Sequence, residues 1–116
     1  MGHTITSSEL NQFTGSENWY KHWLGILYTD GVKFLAEKAG AYWLIDAIAS
    51  YQKSLKHVSF QMWTLRVKED HSAVLQMQED SNTPPLVEQY IEYSDFPLES
   101  IRLFFIDGVL LLPSEY

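Results

Sequence analysis

The stretch whose reading decides the fold is His57-Val58-Ser59-Phe60-Gln61-Met62-Trp63-Thr64-Leu65-Arg66-Val67-Lys68. Upstream of His57 the apolar residues recur at helical spacing; within this stretch they alternate. Trp63, Leu65 and Val67 fall on one side of a pleated strand, and Phe60, Met62 and Thr64 on the other. Glu69-Asp70-His71-Ser72 then reads as a turn, after which Ala73, Leu75 and Met77 alternate with Val74, Gln76 and Gln78, so the two segments form a hairpin. Residues 80–85 form a loop, because Asn82, Pro84 and Pro85 cannot continue a ladder. Leu86–Tyr93 alternates again, with Val87, Ile91 and Tyr93 opposite Glu88 and Glu92, until Phe96-Pro97 breaks it. Ile101–Ile106 and Val109–Leu112 flank Asp107-Gly108, a pair suited to the positive φ angles of a type I′ turn.

Working back from His57, Thr29 or Asp30 caps a helix starting near Gly31, with Val32, Leu35, Ala36 and Ala39 on one stripe and Gly40 as its stop. A second helix runs from Ala41 to about Ser54 on Trp43, Leu44, Ala47, Ile48 and Tyr51. One long helix bent at Gly40 is the alternative, at ~1 kcal/mol relative to Ala. Lys53 and Lys56 complement the negative end of the helix dipole. Nearer the N-terminus, Thr6 and Glu9 have the spacing of a capping box. Ser16 is expected to cap a further helical segment carrying Trp19, Tyr20, Trp23 and Leu24, and Leu27-Tyr28-Thr29 to be extended. Residues 1–5 are expected to fray.

Helices followed by hairpin-connected strands predict an α+β fold. The expectation is one domain over residues 1–116, with an antiparallel sheet of four or five strands in the C-terminal half and the N-terminal helices packed on one face. The other face mixes Gln76, Gln78, Glu88, Glu92 and Arg102 with Phe60, Met62 and Phe104. That mixture predicts packing against the N-terminal segment or another subunit.

Composition bounds the function. The chain has 116 residues, 46% hydrophobic and 20% charged, a globular balance. It has no cysteine, which excludes disulfides, thiolate metal sites and thiol chemistry. No apolar run approaches the ~20 residues of a membrane span, and the N-terminus shows no apolar signal region. The net charge of −7 disfavours binding to nucleic acid, whose phosphates require clustered Lys and Arg. Residues 1–68 carry +2 and residues 69–116 carry −9. An acidic half serves solubility, or steers a basic partner.

Candidate chemistry is sparse. His3 and His71 read as tail and turn residues, and no histidine pair has metal-ligand spacing, so no metal or cofactor is expected. His22, among aromatics, reads as a half-buried residue bonded to backbone. Asp46 lies in the apolar context Leu44-Ile45-Asp46-Ala47 on the same helix face as Tyr42 and Ser50. An outward Asp46 is ordinary helix surface; one turned towards His22 or Tyr42 could join acid–base chemistry. Asp30-Gly31 reads as a helix start, or as an exposed helix N-terminus that binds an anion. No phosphate loop, nucleophile elbow or calcium loop is present.

Several segments together resemble a known family. They are Phe13-Thr14-Gly15-Ser16, Trp19-Tyr20-Lys21-His22, Tyr28–Ala36, Ala39-Gly40-Ala41-Tyr42-Trp43-Leu44-Ile45-Asp46 through Gln52, Phe60-Gln61-Met62-Trp63, and Asp107–Tyr116. The chain resembles DUF6876, a family of small bacterial proteins of unknown function, over nearly its whole length. The resemblance implies a bacterial, cytoplasmic protein and transfers no activity and no site residues.

The favoured expectation is a non-enzymatic module that self-associates, as a homodimer, or docks a protein. Its contacts are Trp19, Trp23, Tyr42 and Phe104, with Glu88, Glu92 and Asp95 steering. The alternatives are a small hydrolase or ligand-binding protein with a pocket between helices and sheet, using His22, Asp30, Tyr42 and Asp46, and an acidic inhibitor that mimics nucleic acid.

Overall fold

The computed structural model describes residues 5–14 and 18–116. Its elements in chain order are α1 (Ser7–Leu10), β1 (Trp19–Lys21), β2 (Leu27–Thr29), α2 (Asp30–Ala39), α3 (Tyr42–Tyr51), β3 (Phe60–Val67), β4 (Ala73–Gln78), β5 (Val87–Ile91), β6 (Ser100–Ile106) and β7 (Val109–Leu111). Short 3-10 turns cover Gln52–Ser54 and Pro113–Glu115. The strands form one seven-stranded sheet in the order β1-β2-β7-β6-β3-β4-β5. Every neighbouring pair is antiparallel except β2 with β7, which is parallel.

This corrects the expected fold. The sheet is mixed and wider than a four- or five-stranded antiparallel sheet built from the C-terminal half alone, and the N-terminal half contributes two strands to it. The segment around Trp19 is therefore not a helix. Trp19–Lys21 pairs with Leu27–Thr29, which in turn pairs with Val109 and Leu110. A tertiary ladder overrides the helical spacing of Trp19 and Trp23, and Gly25, at φ 100°, closes the β1–β2 turn. The proposed cap Ser16 and the tail residue His3 lie outside the described residues. Of the expected frayed end, Ile5 is buried at 5% exposure.

Local chemistry explains the helix ends. The Thr6 hydroxyl accepts from the Glu9 N–H, and Glu9 Oε1 accepts from the Thr6 N–H. Thr29 caps α2 by accepting from the Val32 N–H at 3.3 Å. Gly40 ends α2 in the left-handed region at φ 61°, so α2 and α3 are separate helices. Asp107 and Gly108, at φ 51° and 83°, make the two-residue turn between β6 and β7.

The inner face of the sheet (Trp63, Leu65, Leu75, Met77, Leu103 and Leu110, all at or below 1% exposure) packs against Val32, Leu35, Leu44 and Ile48 of the two main helices. The outer face carries Trp19, Leu27, Val109, Leu111, Phe104, Ile106, Phe60 and Met62, with Thr64, Arg66, Gln76, Glu88 and Arg102 beyond them. The described part of the N-terminal segment packs elsewhere: Leu10 is buried in the core, and the Leu10 carbonyl accepts from the Ser114 hydroxyl. The tail reaches the outer face, where the Tyr116 ring lies 5.5 Å from Phe104 and 6.1 Å from Phe60.

Glu115 fastens the tail to the start of α2. Its carboxylate accepts from the Thr29 hydroxyl at 2.6 Å, the Gly31 N–H at 3.1 Å and the Leu112 N–H at 2.9 Å. A Cβ on Gly31 would stand 2.6 Å from Glu115 Oε1 and 2.7 Å from Leu112 Cδ1. Gly31 is thus required by close approach. Gly31→Ala is expected to lose about 1–2 kcal/mol despite the better helix propensity of Ala, because displacing the carboxylate forfeits charge-assisted hydrogen bonds. Urea denaturation of Gly31→Ala, Glu115→Ala and the double variant measures it. The loss at Gly31 should shrink once Glu115 is gone, and equal losses in both backgrounds would contradict the contact.

Candidate functional site

His22 sits in the β1–β2 turn and Asp46 in the middle of α3, and the fold brings them together. His22 is 7% exposed, while the Asp46 side chain is 56% exposed. His22 Nε2 lies 2.6 Å from Asp46 Oδ1. His22 Nδ1 accepts the Leu24 N–H at 3.0 Å, so in the neutral ring the proton resides on Nε2 and is donated to Asp46. The Trp23 ring stacks on the imidazole at 5.5 Å and is itself 80% exposed.

Both ring nitrogens are thus consumed within the chain. An imidazole acting as general base needs a free lone pair within reach of substrate, and here the backbone fills it. The geometry suits a pin holding the β1–β2 turn to α3. A neighbouring cavity is bordered by Leu24, Gly25 and Ser50, but not by His22 or Asp46.

Asp30 and Tyr42 belong to other surroundings. Asp30 Oδ1 accepts from the Tyr20 hydroxyl at 2.8 Å, and Oδ2 from the Asn18 N–H at 3.3 Å. This bond to Asp30, with partial desolvation and negative charge nearby, holds the Tyr20 hydroxyl above the usual tyrosine range. The Lys33 ammonium lies 4.4 Å above the Tyr20 ring. Tyr42 is exposed on the same helix as Asp46, and its hydroxyl is raised by desolvation and by Glu37 and Tyr28. The four polar candidates form no single constellation. The α2 N-terminus considered as an anion site holds the chain's own Glu115 carboxylate.

The expected contact residues also divide. Trp19, 54% exposed, and the half-buried Phe104 share the outer face of the sheet. Trp23 lies on His22, and Tyr42 starts α3. Glu88 is on the outer face, bonded to Gln76 and Tyr90, while Glu92 and Asp95 lie exposed beyond the end of β5. Among the described residues, no group of three or more His, Asp or Glu is placed to hold a metal ion.

Sequence reading passed over Gln52 and Gln61. Their amides bond reciprocally, each Nε2 to the other's Oε1 at 2.8 Å, and Gln61 Oε1 also accepts from the buried Trp63 indole at 2.9 Å. The available signal is Gln61 itself, a large polar residue inside an apolar strand.

Over residues 4–116 the sequence matches the family model DUF6876, described as a family of unknown function. The chain belongs to the DUF6876 family. No curated protein and no solved structure gives a match. Family membership therefore leaves function open, and the geometry has to carry it. Within this DUF6876 chain no described helix is long and apolar enough to cross a membrane.

Long-range proton–nitrogen NMR is expected to show His22 as the Nε2–H tautomer when neutral. His22→Ala should lower stability by about 1–3 kcal/mol, through lost hydrogen bonds and packing. A dominant Nδ1–H tautomer would contradict the pin.

Proposed function

We propose that the protein is a self-associating module whose outer sheet face packs on the same face of a second copy. The observation that carries this is an apolar patch that the described residues leave largely uncovered. Trp19, Leu27, Val109, Leu111, Phe104 and Phe60 lie side by side on five adjacent strands, with Tyr116 against the last two rings. Contiguous apolar surface of this kind marks an interface.

Three features favour a second copy over a basic partner. Most acidic residues of the C-terminal half (Glu69, Asp70, Glu79, Asp80, Glu92, Asp95 and Glu99) stand in the connections between strands, off the outer face. Among the described strand residues the face carries a single acidic side chain, Glu88, against Lys21, Arg66 and Arg102, so it offers little for a basic partner to dock on. The patch crosses five strands, four spacings of about 4.8 Å and so about 19 Å of width, a size suited to the apolar centre of an interface rimmed by the rest of the face. A two-fold axis through the patch lays apolar surface on apolar surface and leaves the acidic connections between strands outside. The bacterial, cytoplasmic setting implied by the family resemblance is part of the same proposal.

Sedimentation velocity tests this. The wild type is expected to move from 13.5 kDa towards twice that mass as concentration rises. Phe104→Lys and the more exposed Trp19→Glu should remain monomers with unchanged circular dichroism. A wild type that stays monomeric throughout, or a folded Trp19→Glu that dimerises equally well, would overturn the proposal.

A further inference from the structure

A cavity of about 660 Å³ lies on the helical side of the sheet, away from the outer face. That is within the range of small-molecule sites, about 300–1,000 Å³. It is an open cleft bordered by the end of α3, the β1–β2 turn and the β6–β7 turn. Its apolar wall is Ile26, Ala49, Leu55, Val58 and Phe105. These five keep 5–7% exposure, while the core behind them, such as Ile48 and Leu110, has none.

The polar lining divides into satisfied and available groups. Gln52 and Gln61 spend their amides on each other, and Gln61 Nε2 also donates to the Val58 carbonyl at 3.2 Å. Lys53 and Lys56 are exposed on the cavity wall, and among the described residues neither has an ion-pair partner. The only acidic lining residue is Asp107. The C-terminal end of α3 alone would repel an anion, so any preference for one depends on these two ammonium groups.

We infer that this cavity binds a small amphiphilic anion, its hydrocarbon body against Ile26, Leu55, Val58 and Phe105 and its carboxylate between Lys53 and Lys56. The inference is independent of self-association, because the cavity and the outer face lie on opposite sides of the sheet.

The test is a titration of the intact protein with decanoate, followed by backbone amide NMR, with decanol and acetate as controls. Decanoate is expected to bind saturably and to shift amides in residues 24–27, 49–59 and 105–108. Decanol and acetate should each bind at least about tenfold more weakly, and Lys53→Glu with Lys56→Glu should weaken decanoate by about tenfold or more, equivalent to ~1.4 kcal/mol. Circular dichroism of the double variant should match that of the wild type. A second variant, Ala49→Phe, narrows the cavity and should abolish decanoate shifts while leaving Lys53 and Lys56 in place. Absence of saturable shifts, shifts confined to the outer face, or equal decanoate affinity in the folded charge-reversed protein would overturn the inference.

Discussion

The structure depends on a mismatch of areas between one helical layer and one sheet. α2 and α3 have ten residues each, so each is about 15 Å long, and together they form one layer against the sheet. The seven strands span about 29 Å. These helices bury the inner face, and the described chain has no second layer for the outer one. Phe60, Phe104, Ile106, Val109 and Leu111 therefore stand on a face that, among the described residues, the C-terminal tail partly shelters through Tyr116. The functional proposal follows from that surplus of apolar surface.

The sheet reaches its full width because the ends of the described chain are tied together. Parallel pairing of β2 with β7 is, among the described residues, the one strand pairing between the N-terminal hairpin and the other five strands. It spans only Leu27 with Val109 and Tyr28 with Leu110, too few contacts to be strong alone. The Glu115 carboxylate reinforces it just beyond the strand ends, accepting from the Thr29 hydroxyl and the Gly31 N–H. A negative group at a helix N-terminus is favourable, and in this protein it is a structural fastening. The His22–Asp46 bond does a similar job between the β1–β2 turn and α3.

Local signals in the sequence were legible, and long-range ones were not. The period change after His57, the Asp107-Gly108 turn, the Thr6–Glu9 capping box and the Gly40 stop each act within a few residues, and each has its counterpart in the structure. β1 and β2 have three residues each, too short to show a period of two, so the spacing of Trp19 and Trp23 misled. The sheet was consequently read too narrow and wholly antiparallel. His22 and Asp46 could be named as polar residues in apolar settings, but the Leu24 N–H that fills the imidazole lone pair is visible only in three dimensions. Glu115 and Gly31 are 84 residues apart, and nothing local to either announces the other.

The uncovered face links these observations to function, and its occupancy can be read residue by residue. Hydroxyl-radical footprinting across a range of protein concentrations measures the solvent access of Trp19, Phe60, Phe104 and Tyr116 directly. The account predicts that modification of these four falls together as concentration rises, while that of Trp23, on the other side of the sheet, stays constant. Modification of Phe104 and Trp19 that is independent of concentration, or protection confined to Trp23, would contradict it.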